Sequence, residues 1–110
     1  MRLVELVFEY DGVVGTRRRP PPGGWPSGIE TVPLRDHAEE APELARRGER
    51  IVRPSEGIPV RAWVTQRQSG EARVDGEAVA WAGRQVHVRY VSREGREGWA
   101  WLWADAVERR

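Results

Sequence analysis

Cysteine and lysine are both missing from this chain of 110 residues, and histidine occurs only twice. Without cysteine, disulfide bonds, thiolate nucleophiles and cysteine-ligated zinc or iron sites are excluded. The absence of cysteine also fits a cytoplasmic location, which we expect. Because all 18 basic residues are arginine and Ala, Gly, Pro and Val are abundant, the composition indicates a GC-rich bacterial genome.

Long apolar runs and a large net charge are missing as well. Glu5 and Glu9 interrupt the N-terminal apolar stretch, and no stretch approaches the roughly 20 apolar residues of a membrane span. We therefore expect neither a signal peptide nor a membrane partner. Acidic and basic residues nearly cancel, leaving a net charge of +1. This balance lacks the positive charge of a dedicated nucleic-acid binder.

Motifs that carry catalysis are also absent. The chain has no glycine-rich phosphate loop of recognised pattern, no Gly-x-Ser-x-Gly and no His-Glu-x-x-His. His37 lies among the carboxylates of residues 36–40, but one histidine without a second nitrogen or sulfur ligand is a weak zinc signal. We expect no metal, no cofactor and no enzymatic activity.

The residues that are present indicate a single domain of mainly β structure with one short helix. Residues 1–16 form an N-terminal strand or hairpin in this prediction, because apolar and polar residues alternate before an Asp-Gly turn signal. Residues 17–59 form an irregular Pro- and Arg-rich insertion with a short acidic helix at 42–47. Residues 60–110 form the antiparallel β core, with an exposed loop at 68–75.

Three tryptophans spaced two residues apart, Trp99, Trp101 and Trp103, dominate the last third of the chain. Side chains at this spacing share one face of a strand. We predict a hairpin with the strand 85–91, closed by the two-residue loop 94–95, because this register puts apolar residues opposite all three indoles. Burying such a row is worth up to about 15 kcal/mol. We expect the row to be a wall of the core, the alternative being a partner-binding or dimer face.

A second aromatic position lies on the strand 60–67, where small apolar residues alternate with arginine and Trp63. Trp63 is either exposed between its arginines or buried with the arginines extended around it. Exposed indoles beside arginine suit stacking on nucleic-acid bases or packing against peptides. Together with the predicted outer face of strand 85–91, this surface supplies the partner-binding candidates Arg61, Trp63, Arg67, His87 and Arg89.

The loop 17–26 contributes the remaining candidates, because Arg17, Arg18 and Arg19 stand beside three prolines and Trp25. Its prolines lack the amide donor that an inner strand needs. The loop is either solvated, with Trp25 packed at the edge of the core, or it contacts an acidic partner through its arginines.

The segments 95–99, Gly-Arg-Glu-Gly-Trp, and 104–108, Ala-Asp-Ala-Val-Glu, enclose the tryptophan strand. Together they resemble the end of an SH3-like small β-barrel, where a distal turn leads to a strand, one helical turn and a short last strand. The resemblance covers the C-terminal half of the chain and implies that 17–59 is an insertion or an added subdomain. The family's peptide groove uses a proline and a tyrosine near positions held here by Ala104 and Ala106, which argues against that activity.

These patterns predict a small β-barrel or a twisted antiparallel sheet, without enzymatic activity, that binds an unidentified protein partner or serves as an accessory module. Nucleic-acid binding through the arginine and tryptophan face is the alternative hypothesis. Homodimerisation through the tryptophan row is a further alternative.

Overall fold

The computed structural model describes residues 30–110, which fold into one antiparallel β-sheet with strand order β4-β3-β2-β1-β5. The strands are β1 (Ile58–Gln66), β2 (Gly70–Ala82), β3 (Gln85–Val91), β4 (Glu97–Trp103) and β5 (Val107–Arg109). The helical elements are single 3-10 turns at Leu34–Asp36, Glu43–Ala45 and Ala104–Ala106. The prediction of a mainly β, antiparallel fold is confirmed. The predicted strand or hairpin at 1–16 and the loop 17–26 lie outside the described residues.

The inner face of the sheet is built from small and aliphatic residues, because alternate positions of each strand point to one side. Val60, Ala62 and Val64 of β1 are buried, as their alternation predicts, and Val86 and Val88 continue this face on β3. Trp81 and Tyr90 are the two largest of the fully buried side chains. No helix in residues 30–110 is long and apolar enough to cross a membrane.

Strand β2 begins earlier than the sequence indicates. The predicted loop 68–75 is wrong, because pairing with β1 starts at Gly70 and leaves only residues 67–69 for the turn. The inner positions Ala72, Val74 and Gly76 are small, so this half of the strand has little hydrophobic contrast. A register shift between Ala78 and Ala80 then turns Trp81 toward the core opposite Val86.

The register of the β3–β4 hairpin differs by one residue from the prediction. Tyr90 pairs with Gly98 and His87 with Trp101, and the turn has three residues, 93–95, instead of two. Gly95 has a φ of +82°, the left-handed conformation that closes this type of turn. All three tryptophans of β4 therefore lie on the outer face, so the prediction that they wall the core is wrong.

Tyr90 supplies the physical reason for this register. Its ring lies against Gly98, where an added Cβ would come within 2.6 Å of the ring carbon Cζ. The inner face of β4 is therefore glycine followed by Ala100 and Leu102, which leaves space for the tyrosine ring and no space for a row of indoles. Burial raises the pKa of Tyr90 to about 12.

The segment 30–52 contacts the sheet through isolated backbone bridges. Ala38 forms a bridge with Gln66 of β1, and Val52 forms one with Trp81 of β2. Asp36 accepts hydrogen bonds from the backbone amides of Gln68 and Ser69, at 2.7 and 2.8 Å, so its carboxylate holds the β1–β2 turn. The hydrogen bond that the Ser69 hydroxyl donates to Asp36 is the largest cause of the lowered pKa of this carboxyl.

The predicted short helix at 42–47 is reduced to the 3-10 turn Glu43–Ala45. Six residues are too few to offset the cost of nucleating a helix in isolation. Contacts with the sheet determine the conformation instead, since Gln85 Nε2 donates to the Pro42 carbonyl and Arg46 Nη1 donates to Gln85 Oε1, both at 2.9 Å. Gly48, with a φ of +86°, follows the turn.

Candidate functional site

The outer face of the sheet, opposite the core, carries Trp63 on β1 and Trp99, Trp101 and Trp103 on β4. Trp63 is 49% exposed and Trp103 is 44% exposed, whereas Trp99 and Trp101 are partly buried. Of the two alternatives for Trp63, the structure therefore shows the exposed one. The outer face is the candidate contact surface because it combines indoles with arginines.

Carboxylates neutralise the arginines beside Trp63. Arg61 Nε lies 2.9 Å from an oxygen of Asp75, and Arg73, which is opposite Trp63 on β2, pairs with Glu108 of β5. These pairs are exposed, so each contributes little to stability. They do, however, neutralise the arginine charges next to Trp63, so these charges are less available to another molecule. Arg67 lies just beyond β1 and is exposed.

Arg89 occupies the middle of the outer face but is largely buried. Its Nε lies 2.6 Å from Oε2 of Glu97, a carboxylate that is only 1% exposed. The contact is an ion pair without an aligned hydrogen bond, since neither atom has a hydrogen-bond partner within residues 30–110. A more distant carboxylate oxygen of Glu77 lies 3.9 Å from Arg89 Nη1. Arg89 therefore neutralises buried charge within the protein.

Trp101 is the centre of a stacked cluster at the other end of the hairpin. The His87 imidazole is parallel to its indole, with ring centroids 4.8 Å apart and an interplanar angle of 7°. The guanidinium carbon of Arg46 lies 4.3 Å from the centroid of the same indole, a cation–π contact. The backbone of Trp101 is held from the segment 30–52, with its amide donating to Glu40 Oε2 and its carbonyl accepting from Ala41.

His87 is predicted to make stability depend on pH. Burial, together with the charges of Arg53 and Arg46, lowers the pKa of His87 from 6.5 to about 4. Between these two pKa values the unfolded chain therefore binds a proton that the folded protein does not. The contribution of His87 to the free energy of unfolding is fully present above pH 6.5 and decreases as the pH falls toward 4. We expect this loss to reach about 2–3 kcal/mol.

Urea denaturation at a series of pH values measures this effect. In His87→Phe, which keeps an aromatic ring against Trp101 and removes the titrating group, the decrease between pH 6.5 and 4 should be smaller by about 2–3 kcal/mol, the remainder coming from carboxyls with a lowered pKa such as Asp36. Parallel pH profiles for the wild type and this variant would contradict the interpretation.

Sequence reasoning missed the residues around Trp103. In the observed register Trp103 pairs with Gln85, which accepts a hydrogen bond from Arg46, and the carbonyl of Arg84 accepts one from the amide of Ala104. The Arg46 side chain and the Arg84 backbone, from distant stretches of the chain, thus contact Gln85, which pairs with Trp103, and Ala104, which follows it. We call this surface the Trp103 corner and define it as Trp103 and Trp101 with His87, Arg46, Arg84 and Arg53, the last included because its charge acts on His87. A correct hairpin register would have put Trp103 on the outer face, but nothing local in the sequence brings Arg46 to it.

The outer-face side chains of residues 30–110 are of types that make noncovalent contacts with other molecules. In residues 30–110 no group of three or more His, Asp or Glu side chains could hold a metal ion. Of the predicted site residues, Arg61, Trp63, His87 and Arg89 share the outer face, with Trp63 at one end and His87 at the other. Arg17, Arg18, Arg19 and Trp25 lie outside the described residues.

Exposed indoles and guanidinium groups suit the recognition of a partner surface. Comparison of the chain with protein-family models, with curated proteins and with solved structures found no match.

Proposed function

We propose that this protein is a non-enzymatic, cytoplasmic module of the SH3-like small-barrel type that binds a protein partner. The element order supports the proposal, because a long bent β2 is followed by the β3–β4 hairpin, a single 3-10 turn at Ala104–Ala106 and a short β5 that returns to β1. Ala104 and Ala106 stand near positions where the family's peptide groove has a proline and a tyrosine. They therefore argue for a binding surface other than that groove.

The observation that carries the proposal is the outward orientation of Trp63 and Trp103, which are 49% and 44% exposed. Tryptophan is enriched in the cores of protein interfaces, where its large surface contributes much of the binding energy. Two such side chains stand half exposed to water on one face of a small sheet, and burying this apolar surface against a partner would be favourable in free energy.

Around Trp63 and Arg89, charge pairing favours a protein partner over nucleic acid. A nucleic-acid surface requires arginines that are free to replace counterions along the phosphates. Arg61, Arg73 and Arg89 instead pair with Asp75, Glu108 and Glu97 of the same chain. Phosphates would have to displace these carboxylates, whereas a protein surface can pack on the indoles without breaking the pairs.

Affinity capture with matched variants tests the proposal. The full chain is immobilised and exposed to a nuclease-treated lysate of a GC-rich bacterium, in parallel with the double variant Trp63→Ala/Trp103→Ala. We expect a protein retained by the wild type and lost from the double variant. Leu34→Ala is the control, because Leu34 is a large apolar side chain that is 81% exposed at a different site.

Equal retention by all three proteins would contradict the proposal. Binding of a mixed-sequence oligonucleotide at about 50 mM salt would favour the nucleic-acid alternative. Sedimentation of the wild type as a dimer and of the double variant as a monomer would favour homodimerisation through the outer face.

A further inference from the structure

Ion pairs are distributed unevenly over the described surface. Arg61, Arg73, Arg89, Arg96 and Arg110 each lie within ion-pair distance of a carboxylate. The three arginines of the Trp103 corner, at positions 46, 53 and 84, form no ion pair with a carboxylate of this part of the chain. The corner is therefore where aromatic surface and unneutralised positive charge coincide.

Neutral partners position the first of these arginines. Arg46 Nη1 donates to Gln85 Oε1 at 2.9 Å, and its guanidinium carbon lies 4.3 Å from the centroid of the Trp101 ring. Both contacts leave the charge uncompensated and keep the guanidinium beside the strand that carries Trp103. A positioned guanidinium loses less side-chain entropy when it binds a carboxylate than a free one would.

The three carboxylates of residues 40–49 form no ion pair with the arginines of the corner. Glu40 Oε2 accepts from the Trp101 amide at 2.7 Å. Glu49 lies near Gly83, with its Cγ 3.2 Å from where a Cβ of that residue would be, and Glu43 belongs to the 3-10 turn. The depressed pKa of His87, caused first by burial and then by Arg53 and Arg46, is consistent with a positive local field.

We propose that the Trp103 corner binds an acidic segment of the partner protein, in which carboxylates flank one large apolar residue. This inference rests on the proposed function and adds the chemistry of the partner. The apolar residue packs on the 44% exposed indole of Trp103, and the carboxylates pair with Arg53, Arg84 and Arg46.

The spacing of charge favours a peptide over a polyanion. Nucleic acid carries a negative charge at every nucleotide, whereas the segment next to the corner carries the exposed Glu43 and Glu49, which would repel phosphates. A peptide carries carboxylates only at intervals and can leave neutral or basic residues opposite these two glutamates.

Selection from a random peptide library displayed on phage tests the inference on the full chain. We expect enriched sequences that contain Asp or Glu beside a large apolar residue, and loss of their binding in Trp103→Ala. Enrichment of neutral or basic sequences that also depend on Trp103 would overturn the acidic-partner inference and leave the proposed function standing. Absence of any enriched sequence would count against the proposed function itself.

Charge-reversal variants then locate the site. With a fluorescein-labelled selected peptide, Arg53→Glu/Arg84→Glu should raise the Kd at least about tenfold, with a weaker salt dependence. The control Arg93→Glu/Arg35→Glu changes the net charge equally at exposed arginines outside the corner, and should leave the Kd within about twofold. Equal losses in both double variants would overturn the assignment to the corner.

Changing the peptide instead of the protein tests the same contact without the risk that a protein variant fails to fold. Replacing the carboxylates of the selected peptide by amides should weaken binding to the wild type about as much as the arginine reversals do. Unchanged affinity of the amide peptide would overturn the inference, as would tighter binding of oligothymidylate at the same corner.

Discussion

Trp81→Ala is expected to lower the free energy of unfolding by about 3–5 kcal/mol, one of the two largest losses that we predict from single substitutions. Trp81 is the largest fully buried side chain, at 1% exposed, and its backbone forms two hydrogen bonds with Val52. Removing the indole creates a cavity between β2 and the rest of the core, because the surrounding strands are fixed by their own pairing. Equilibrium denaturation in urea measures the loss.

Trp101→Ala is the matched control, since it removes the same group from the outer face. Trp101 is partly buried against His87 and Arg46, so the variant should lose clearly less stability than Trp81→Ala. A larger loss for Trp101→Ala would show that the β4 tryptophans form the core after all, and would contradict the observed register.

Arg89→Met should destabilise the protein by about 3–5 kcal/mol, because it leaves a buried carboxylate without its partner. Glu97 is 1% exposed, and its oxygen lies 2.6 Å from Arg89 Nε. Methionine keeps most of the apolar length of arginine, so the loss reports the unpaired charge more than the lost packing. The remaining contact of Arg89, with Glu77 at 3.9 Å, is too distant and exposed to account for a loss of this size.

A double-mutant cycle separates these contributions. Arg89→Met/Glu97→Leu removes both charges and should recover most of the stability lost in Arg89→Met. We expect Glu97→Leu alone to be destabilising as well, since it leaves the arginine largely buried and unpaired. Additive losses in the double variant would show that the two side chains are not coupled. If Arg89→Met has wild-type stability, the pair carries no structural role and Arg89 is available to a partner.

Part of the candidate site could be predicted from local alternation. Val60, Ala62 and Val64 identify the inner face of β1, and with it the outward direction of Trp63. How far Trp63 is exposed could not be predicted, because that depends on which side chains from other strands lie beside it. Pairing of its neighbouring arginines with Asp75 and Glu108 depends equally on tertiary contacts.

The Trp103 corner could not be predicted, because it combines Arg46 and Arg84 from separate segments at one end of a hairpin. The prediction also put the indoles on the wrong face. Both faces of β4 are apolar enough to be buried, so hydrophobic alternation in that strand does not distinguish them. A one-residue change of register moves every side chain to the opposite face.

The sequence by itself determined that the chain is mainly β, that β1, β3 and β4 are strands, and that aliphatic residues of β1 and β3 face inward. These properties follow from period-two alternation, which is local. Only the tertiary structure decided which face of β4 is buried, because that depends on volume across the core. Tyr90 fills the space above Gly98, and Trp81 is turned inward by the shift in β2. The three indoles that dominate the sequence are therefore directed outward, where Trp103 is 44% exposed and Trp99 and Trp101 are partly buried.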